Sequence, residues 1–105
     1  MARVYIDGRN VQRSQWPNLS DEELVERTRA WAERHGHEAV IVFDRQAPAG
    51  AIGSGGESAD DWLIREVPKH PGAWLVTSDR ALRDAAAVNA YRVIGGGGFL
   101  KELEK

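Results

Sequence analysis

Three apolar runs in this chain each end on an aspartate: Val4-Tyr5-Ile6-Asp7, Val40-Ile41-Val42-Phe43-Asp44 and Trp74-Leu75-Val76-Thr77-Ser78-Asp79. If the runs are parallel strands of one sheet, their acids meet along one edge, because neighbouring strands lie about 4.8 Å apart. Two carboxylates about 5 Å apart at an effective dielectric near 20 repel by roughly 3 kcal/mol. Three such groups, joined by Asp60 and Asp61, need a compensating charge to stay ionised together, and a divalent cation among the oxygens supplies one. Hard oxygen donors with no histidine at a suitable position indicate Mg²⁺ or Mn²⁺.

The two adjacent acids separate by role. Ser58-x-x-Asp61 is a fair capping box, and acids in a first helical turn complement the macrodipole, which accounts for Asp61. Asp60 shares a helical stripe with Leu63, Ile64 and Val67 at i+3, i+4 and i+7, a stripe expected to face the sheet. A carboxylate on a core-facing side is costly unless paired or metal-bound, so Asp60 is the stronger ligand candidate and Asp61 a cap or water-mediated second ligand. Asn10 stands three residues after Asp7, where it can hold a water or a phosphate oxygen, and Thr77 and Ser78 can donate hydrogen bonds to the same centre. Arginine outnumbers lysine eleven to three. Arg9, Arg45 and Arg80 each follow a strand-ending aspartate by one or two residues, where a guanidinium fork suits a phosphate-bearing ligand. Each of these residues also has an ordinary structural use: aspartate as turn residue or cap, arginine as neutraliser of an adjacent acid. Three strand-ending acids at one edge, met by a pair from a helix start, is what those uses do not explain.

The elements that must position these groups can be read along the chain. The first strand covers roughly Arg3 to Ile6 and, apolar at consecutive positions, is expected to be buried on both faces. After a polar stretch containing Trp16-Pro17, Ser20 and Glu23 form a capping box, Leu19 can staple onto Leu24, and Leu24, Val25, Thr28, Trp31 and Ala32 form one helical stripe closed by Gly36. A second strand at about Ala39 to Phe43 makes this a right-handed parallel crossover unit. Residues 45–57 are rich in Gly, Ala and Pro and read as a mobile loop with room for a short strand at Ala51-Ile52. A helix from Ser58 must stop near Pro68. Trp74 to Thr77 form a further strand, Ser78 or Asp79 caps a helix to about Val88, and Tyr91 to Ile94 form the last strand. The glycines at 95–98 read as a joint to a tail that docks through Phe99, Leu100 and Leu103, or as a close approach to a nucleic-acid backbone. Alternating strands and helices predict an α/β, three-layer sandwich with a mainly parallel central sheet, whose ligands bind beyond the carboxyl ends of the strands.

Length and composition narrow the field. A chain of 105 residues fits one domain, residues 1–105. Without cysteine there is no disulfide and no thiolate zinc site. No leader and no segment of about 18 apolar residues is visible, so no membrane contact and a cytoplasmic location are expected. Gly53 to Gly56 lacks the Lys-Ser/Thr of a P-loop, and His35, His37 and His70 are expected to face solvent. Four tryptophans in so small a domain leave a homodimer open. A phosphoaspartate receiver or an aspartate-nucleophile phosphatase shares strand-ending acids, but Gly95 and Arg9 stand where these need lysine and a second aspartate.

Asp7-Gly8-Arg9-Asn10 after a first apolar strand, Phe43-Asp44, Glu57-Ser58-Ala59-Asp60-Asp61 before an apolar helix and Thr77-Ser78-Asp79-Arg80 after a later strand together resemble the NYN domains of the PIN-like nuclease superfamily, particularly the YacP-like group. The likeness covers nearly the whole chain. It implies a sheet with the first strand central, an acidic centre for Mg²⁺ or Mn²⁺ and metal-dependent cleavage of RNA, single-stranded or structured. By the same resemblance Asp7, Asp60 and Asp79 form the catalytic metal-binding core with Asp61 and Asn10 assisting, while Asp44 is less certain as a direct ligand. The acid that some relatives carry one turn after the last strand-ending aspartate is displaced here, with Arg83 in its place and Asp84 next. Arg9, Arg45, Arg80 and Ser78 are the candidate substrate contacts, and Trp16, if exposed, can stack on a base. The near-balanced charge, formally −2, keeps a second reading in play: a module of the same fold that binds RNA or a protein without cutting.

Overall fold

The computed structural model describes residues 1–104. Its strands are β1 (Arg3–Asp7), β2 (Glu38–Phe43), β3 (Ile52–Gly53), β4 (Trp74–Val76) and β5 (Arg92–Ile94), in one all-parallel sheet of order β3-β2-β1-β4-β5. The uninterrupted apolar run of β1 is explained by its central place: Val4, Tyr5 and Ile6 are all buried, with a neighbouring strand on each side and helices on both faces. The helices are α1 (Gly8–Gln12), α2 (Asp21–His35), α3 (Ala59–Glu66), α4 (Arg80–Ala86) and α5 (Gly96–Leu103), and a 3₁₀ turn (Val67–Lys69) follows α3 at Pro68.

Alternation along β1 divides the core into two layers. Val4 and Ile6 pack with Val11, Leu24, Trp31, Phe99 and Leu103 on the side of α1, α2 and α5. Tyr5 packs with Val42, Leu63, Leu75 and Leu82 on the side of α3 and α4. The period of two returns Asp7 to the Tyr5 side, so its carboxylate belongs with the starts of α3 and α4. Burying side chains such as Phe99 or Leu63 completely is worth about 1.5–3 kcal/mol each, and these layers clamp the sheet whose edge carries the acids.

Most local expectations are met. Ser20 Oγ accepts from Glu23 N at 3.1 Å, Gly36 closes α2 at φ 69°, and β3 lies at the expected short strand. Three expectations change. The first concerns the segment after Asp7, which turns at once into α1; five residues are too few to show a helical period. The second concerns Gly96 to Gly98, which form the first turn of α5 instead of a joint. Burial of Phe99, Leu100 and Leu103 overrides the poor helix propensity of glycine, and Gly96 fits where a Cβ would collide with Ser14 Oγ and Asn10 Oδ1. Third, His37 does not face open solvent: its ring lies 4.6 Å from that of Trp74 and 5.3 Å from that of Trp31, and Nδ1 accepts from Ala2 N. His70 is half-buried, its ring 5.9 Å from that of Tyr5. The loop of residues 45–57 is stitched by Ser54, whose hydroxyl accepts from Arg45 N and donates to Glu57 O.

Candidate active site

Asp7 ends β1 level with Val42 of β2, and Ile6 is level with Val76 of β4. The edge beyond these positions is where strand order reverses direction around β1, the expected ligand position in an open parallel sheet. A cavity of about 300 Å³ opens there, lined by Asp7, Arg9, Asn10, Arg13, Asp44, Ser58, Asp60 and Asp79. Chain positions up to 72 residues apart in this lining are thus gathered at one place, Asp7 by β1, Asp44 by the end of β2, Asp60 by the first turn of α3 and Asp79 by the cap of α4.

Asp7 is the buried member, 6% exposed. Its carboxyl is pushed up from 3.8 to about 6, first by burial; the Thr77 hydroxyl opposes this, Asp60 adds to it, the Asn10 backbone amide opposes it and Asp44 adds further. The Asp60 carboxyl is also raised, by burial and then by Asp79, Asp44 and Asp61. These acids therefore sense one another, and among the described residues none of the five ends in an ion pair. Like charges kept together without a cation destabilise the fold, so the cluster is a place where the protein is not optimised for stability alone.

Hydrogen bonds fix the surroundings. Thr77, fully buried, accepts from Asp79 N at 3.1 Å and donates to Asp7 Oδ2 at 3.0 Å. The accepted bond orients the hydroxyl proton toward the carboxylate. Asn10 Oδ1 accepts from Ser78 N at 2.8 Å, and Ser78 Oγ accepts from Gly96 N at 2.8 Å, so α1, the β4–α4 turn and α5 are tied together behind the cavity. Asp44 Oδ1 accepts from Ala59 N at 2.8 Å, and Asp79 Oδ1 accepts from Leu82 N at 3.0 Å. Each of these two acids thus caps a helix with one oxygen.

The placement of the sequence candidates is uneven. Asp7, Asp60, Asp79, Asp44, Asn10 and Arg9 line the cavity. Asp61 does not; it is exposed, and its backbone N–H donates to Ser58 Oγ. Asp60 is not on the core-facing stripe of α3, which lies one residue earlier. The buried stripe of α3 is Ala59, Leu63 and Val67, while Asp60 and Ile64 are exposed: the small Ala59 packs against the sheet and turns the Asp60 carboxylate to the cavity mouth, sparing it full desolvation. Arg45 lines an adjoining cavity of about 500 Å³ that shares Asp44 and Ser58 with the acidic one. Arg80, in the first turn of α4, lines neither. Ser78 points its hydroxyl to α5. Arg9 is engaged: Nη1 donates to Asp21 Oδ1 at 2.7 Å and to Gln12 Oε1 at 2.8 Å, and its guanidinium carbon lies 5.1 Å from the Phe43 ring centre. Arg13 was not singled out from sequence; one helical turn after Arg9, it becomes visible as a site residue once α1 is recognised.

The donor chemistry suits a hard divalent cation: carboxylate oxygens without cationic partners, one of them buried. Among the described residues no three or more His, Cys, Asp or Glu groups stand close enough to hold an ion together. Closing around one would require rotation of the exposed Asp60 and Asp79 side chains toward Asp7. The His35–His37 pair lies with Ala2 and Trp74 at the opposite, amino edge of the sheet and has no part in this centre.

A central parallel strand, the order β3-β2-β1-β4-β5 and acids at the carboxyl edge define an open, all-parallel α/β fold with helices on both faces of the sheet. Among solved structures it is similar to Rae1 (YacP) from Bacillus subtilis: a point-mutant crystal form superposes with TM-score 0.78 at 19% identity, over 99% of this chain and 76% of that one. A second crystal structure of the same protein gives 0.71 at 18% identity, over 99% and 74%. The likeness is one of fold. No family model matches the sequence, and no curated protein matches it. No helix among the described residues is long and apolar enough to cross a membrane.

Proposed function

We propose that this chain is a metal-dependent ribonuclease that hydrolyses phosphodiester bonds of RNA at a centre formed by Asp7, Asp60 and Asp79, with Mg²⁺ or Mn²⁺ as cofactor. The observation that carries the reading is the buried Asp7 carboxylate, raised to about 6 and facing further carboxylates without an ion pair, at the ligand-binding edge of a YacP-like fold. When bound, the cation supplies Lewis acidity toward the phosphate and lowers the pKa of a water to give a nucleophile at neutral pH. The chain's own part is positional. Asp7 offers a buried, oriented carboxylate; Thr77 fixes it; Asn10 holds the Ser78 amide and thereby the turn that carries Asp79. Asp61 stands outside the cavity, suited to a water-mediated role. Arg45 flanks the acids, where a guanidinium meets the phosphates neighbouring the scissile one, while Arg9 borders the cavity with its guanidinium held by Asp21 and Gln12.

The absence of a ready three-acid cage among the described residues and the formal charge of −2 favour the second reading, a module that binds RNA or a protein without cutting it. One assay separates the two. Purified protein with a single-stranded RNA and Mn²⁺ is expected to cleave, with loss of cleavage in EDTA and at least a 100-fold loss in Asp7→Asn. RNA shifted in a gel yet left intact by the wild-type chain selects the binding module, and cleavage undiminished in Asp7→Asn sinks the metal centre.

A further inference from the structure

We propose that the loop leaving α1 builds a nucleotide subsite beside the acidic cavity, in which the Arg13 guanidinium takes a backbone phosphate and Trp16 stacks on an unpaired base of single-stranded RNA. It rests on the nuclease reading only for the class of ligand.

Arg13 lines two cavities at once. One is the acidic cavity; the other, about 310 Å³, continues it between α1 and the start of α2, with Arg9, Gln12, Asn18, Leu19 and Asp21. The cavity at Arg45 shares Asp44 and Ser58 with the acidic one, so the three adjoin in a row, with the acidic cavity between the other two. A linear chain fits such a path, with the acids near its middle.

The two arginines of α1 differ in availability. Arg9 is spent on Asp21, Gln12 and the Phe43 ring. Arg13 is exposed, and its guanidinium has no hydrogen bond or ion pair among the described residues. An unpaired planar cation beside unpaired carboxylates is positioned for an anion that must approach those carboxylates.

Three residues further on, Trp16 is 90% exposed. Its indole adds nothing to the core, unlike that of Trp31 at 2%, and indole faces stack on bases with little regard to sequence. The loop that carries it is held in place: Gln12 Nε2 donates to Leu19 O at 3.0 Å and to Asp21 Oδ1 at 2.6 Å, and Leu19 is buried. A fixed loop loses little entropy when it is covered. A base stacked on Trp16 cannot be paired, which selects single strands.

The test is anisotropy of a fluorescein-labelled 12-residue oligouridylate in EDTA, with the intact protein and Arg13→Ala, Trp16→Ala and, as a control on α2 outside these cavities, Arg27→Ala, at 50 and 200 mM KCl. All three side chains are exposed, so the variants keep the fold, which circular dichroism verifies. Arg13→Ala and Trp16→Ala are each expected to weaken binding about ten-fold. Only Arg13→Ala lowers the salt slope of log K, by about 0.7, as one fewer phosphate is neutralised on a single strand, and Arg27→Ala stays within two-fold. No binding by the wild type, either subsite variant within two-fold of it, Arg27→Ala as weak as Arg13→Ala, or duplex RNA competing as well as single strands overturns the subsite. Its fate is separable from that of the nuclease reading: an oligonucleotide bound through Arg13 and Trp16 but never cut refutes only hydrolysis, and cleavage with unchanged KM in Arg13→Ala refutes only the subsite.

Discussion

Asp7 carries the largest consequence of any single side chain here. Its carboxyl titrates at about 6 in the folded chain against 3.8 ordinarily, so the folded state binds the proton more tightly than the unfolded one. Well below 3.8 both states are protonated and the group is neutral to stability. As pH rises through the interval from 3.8 to about 6 the folded state is penalised, and above it the penalty is full, roughly 3 kcal/mol for a shift of this size. Asp7→Asn removes the charge and keeps an oxygen that can accept from the Thr77 hydroxyl. Urea unfolding in EDTA should therefore find the variant about 1–3 kcal/mol more stable than wild type at pH 7.5, with the difference reduced to about 0.5 kcal/mol or less at pH 4. A variant less stable at pH 7.5 would mean that Asp7 is satisfied by its surroundings without a cation. The candidate acids were legible as residues because aspartate after an apolar run is conspicuous. Arg13 was not, since its role depends on a helix too short to announce itself, and the commitment of Arg9 to Asp21 is a contact across a loop that spacing does not encode.

Among the elements, α5 shows how packing decides what propensity does not. Its first turn is Gly96-Gly97-Gly98, and two of these glycines differ in kind. At Gly96 a Cβ would strike Ser14 Oγ and Asn10 Oδ1, with Asn10 O at 3.2 Å. Those groups cannot simply move aside, because Ser14 Oγ donates to Asn10 O and Asn10 Oδ1 holds Ser78 N. At Gly97 a Cβ meets nothing within 4 Å. Thermal unfolding should show Gly96→Ala destabilised by about 1–3 kcal/mol through overpacking and Gly97→Ala stabilised by about 0.5–1 kcal/mol through a less free unfolded chain. Because Asn10 and Ser78 stand behind the acids, Gly96→Ala is also expected to lower cleavage more than its stability loss explains at a temperature where it stays folded. Equal effects at both positions would deny Gly96 its close approach. The contrast marks what could be read from sequence. Elements with a cap and a stripe were legible to within a residue or two, as with Ser20 and Leu24 to Ala32 of α2, or Pro68 after α3. α1 and α5 were not, because what makes them helices is contact with one another and with β1, a long-range term that local pattern does not carry. The face of α3 was misjudged for the same reason: Ala59 and Ile64 both suit an apolar stripe, and only the distance between helix and sheet decides that the smaller one goes inside.

At the scale of the whole molecule, charge is divided unevenly. Arginines away from the acidic edge are largely neutralised, as in Arg27–Glu23, Arg65–Glu57 and Arg92–Glu102. These exposed pairs contribute little to stability. The repulsion is concentrated where Asp7, Asp44, Asp60 and Asp79 converge, so the fold as a whole should respond to an ion that relieves it. A ligand bound only by the folded state adds about 2.7 kcal/mol at a concentration one hundred times its Kd, and in a domain of this size each kcal/mol raises Tm by about 4–8 °C. Mn²⁺ at that multiple of its Kd should thus raise the Tm of the wild-type chain by roughly 10–20 °C at pH 7.5, relative to EDTA, with KCl at matched ionic strength unable to reproduce the shift. The ion competes with the proton on Asp7, so its affinity should fall as pH drops below about 6, and at pH 5 the shift at the same Mn²⁺ concentration should shrink by more than half. Asp7→Asn should lose most of the shift and Asp44→Asn less, since Asp44 already spends one oxygen on Ala59 N. Differential scanning fluorimetry across the two pH values reads all of this without reference to cleavage. A shift equalled by KCl, or retained in full by Asp7→Asn, would mean that the acidic edge screens charge diffusely instead of holding an ion.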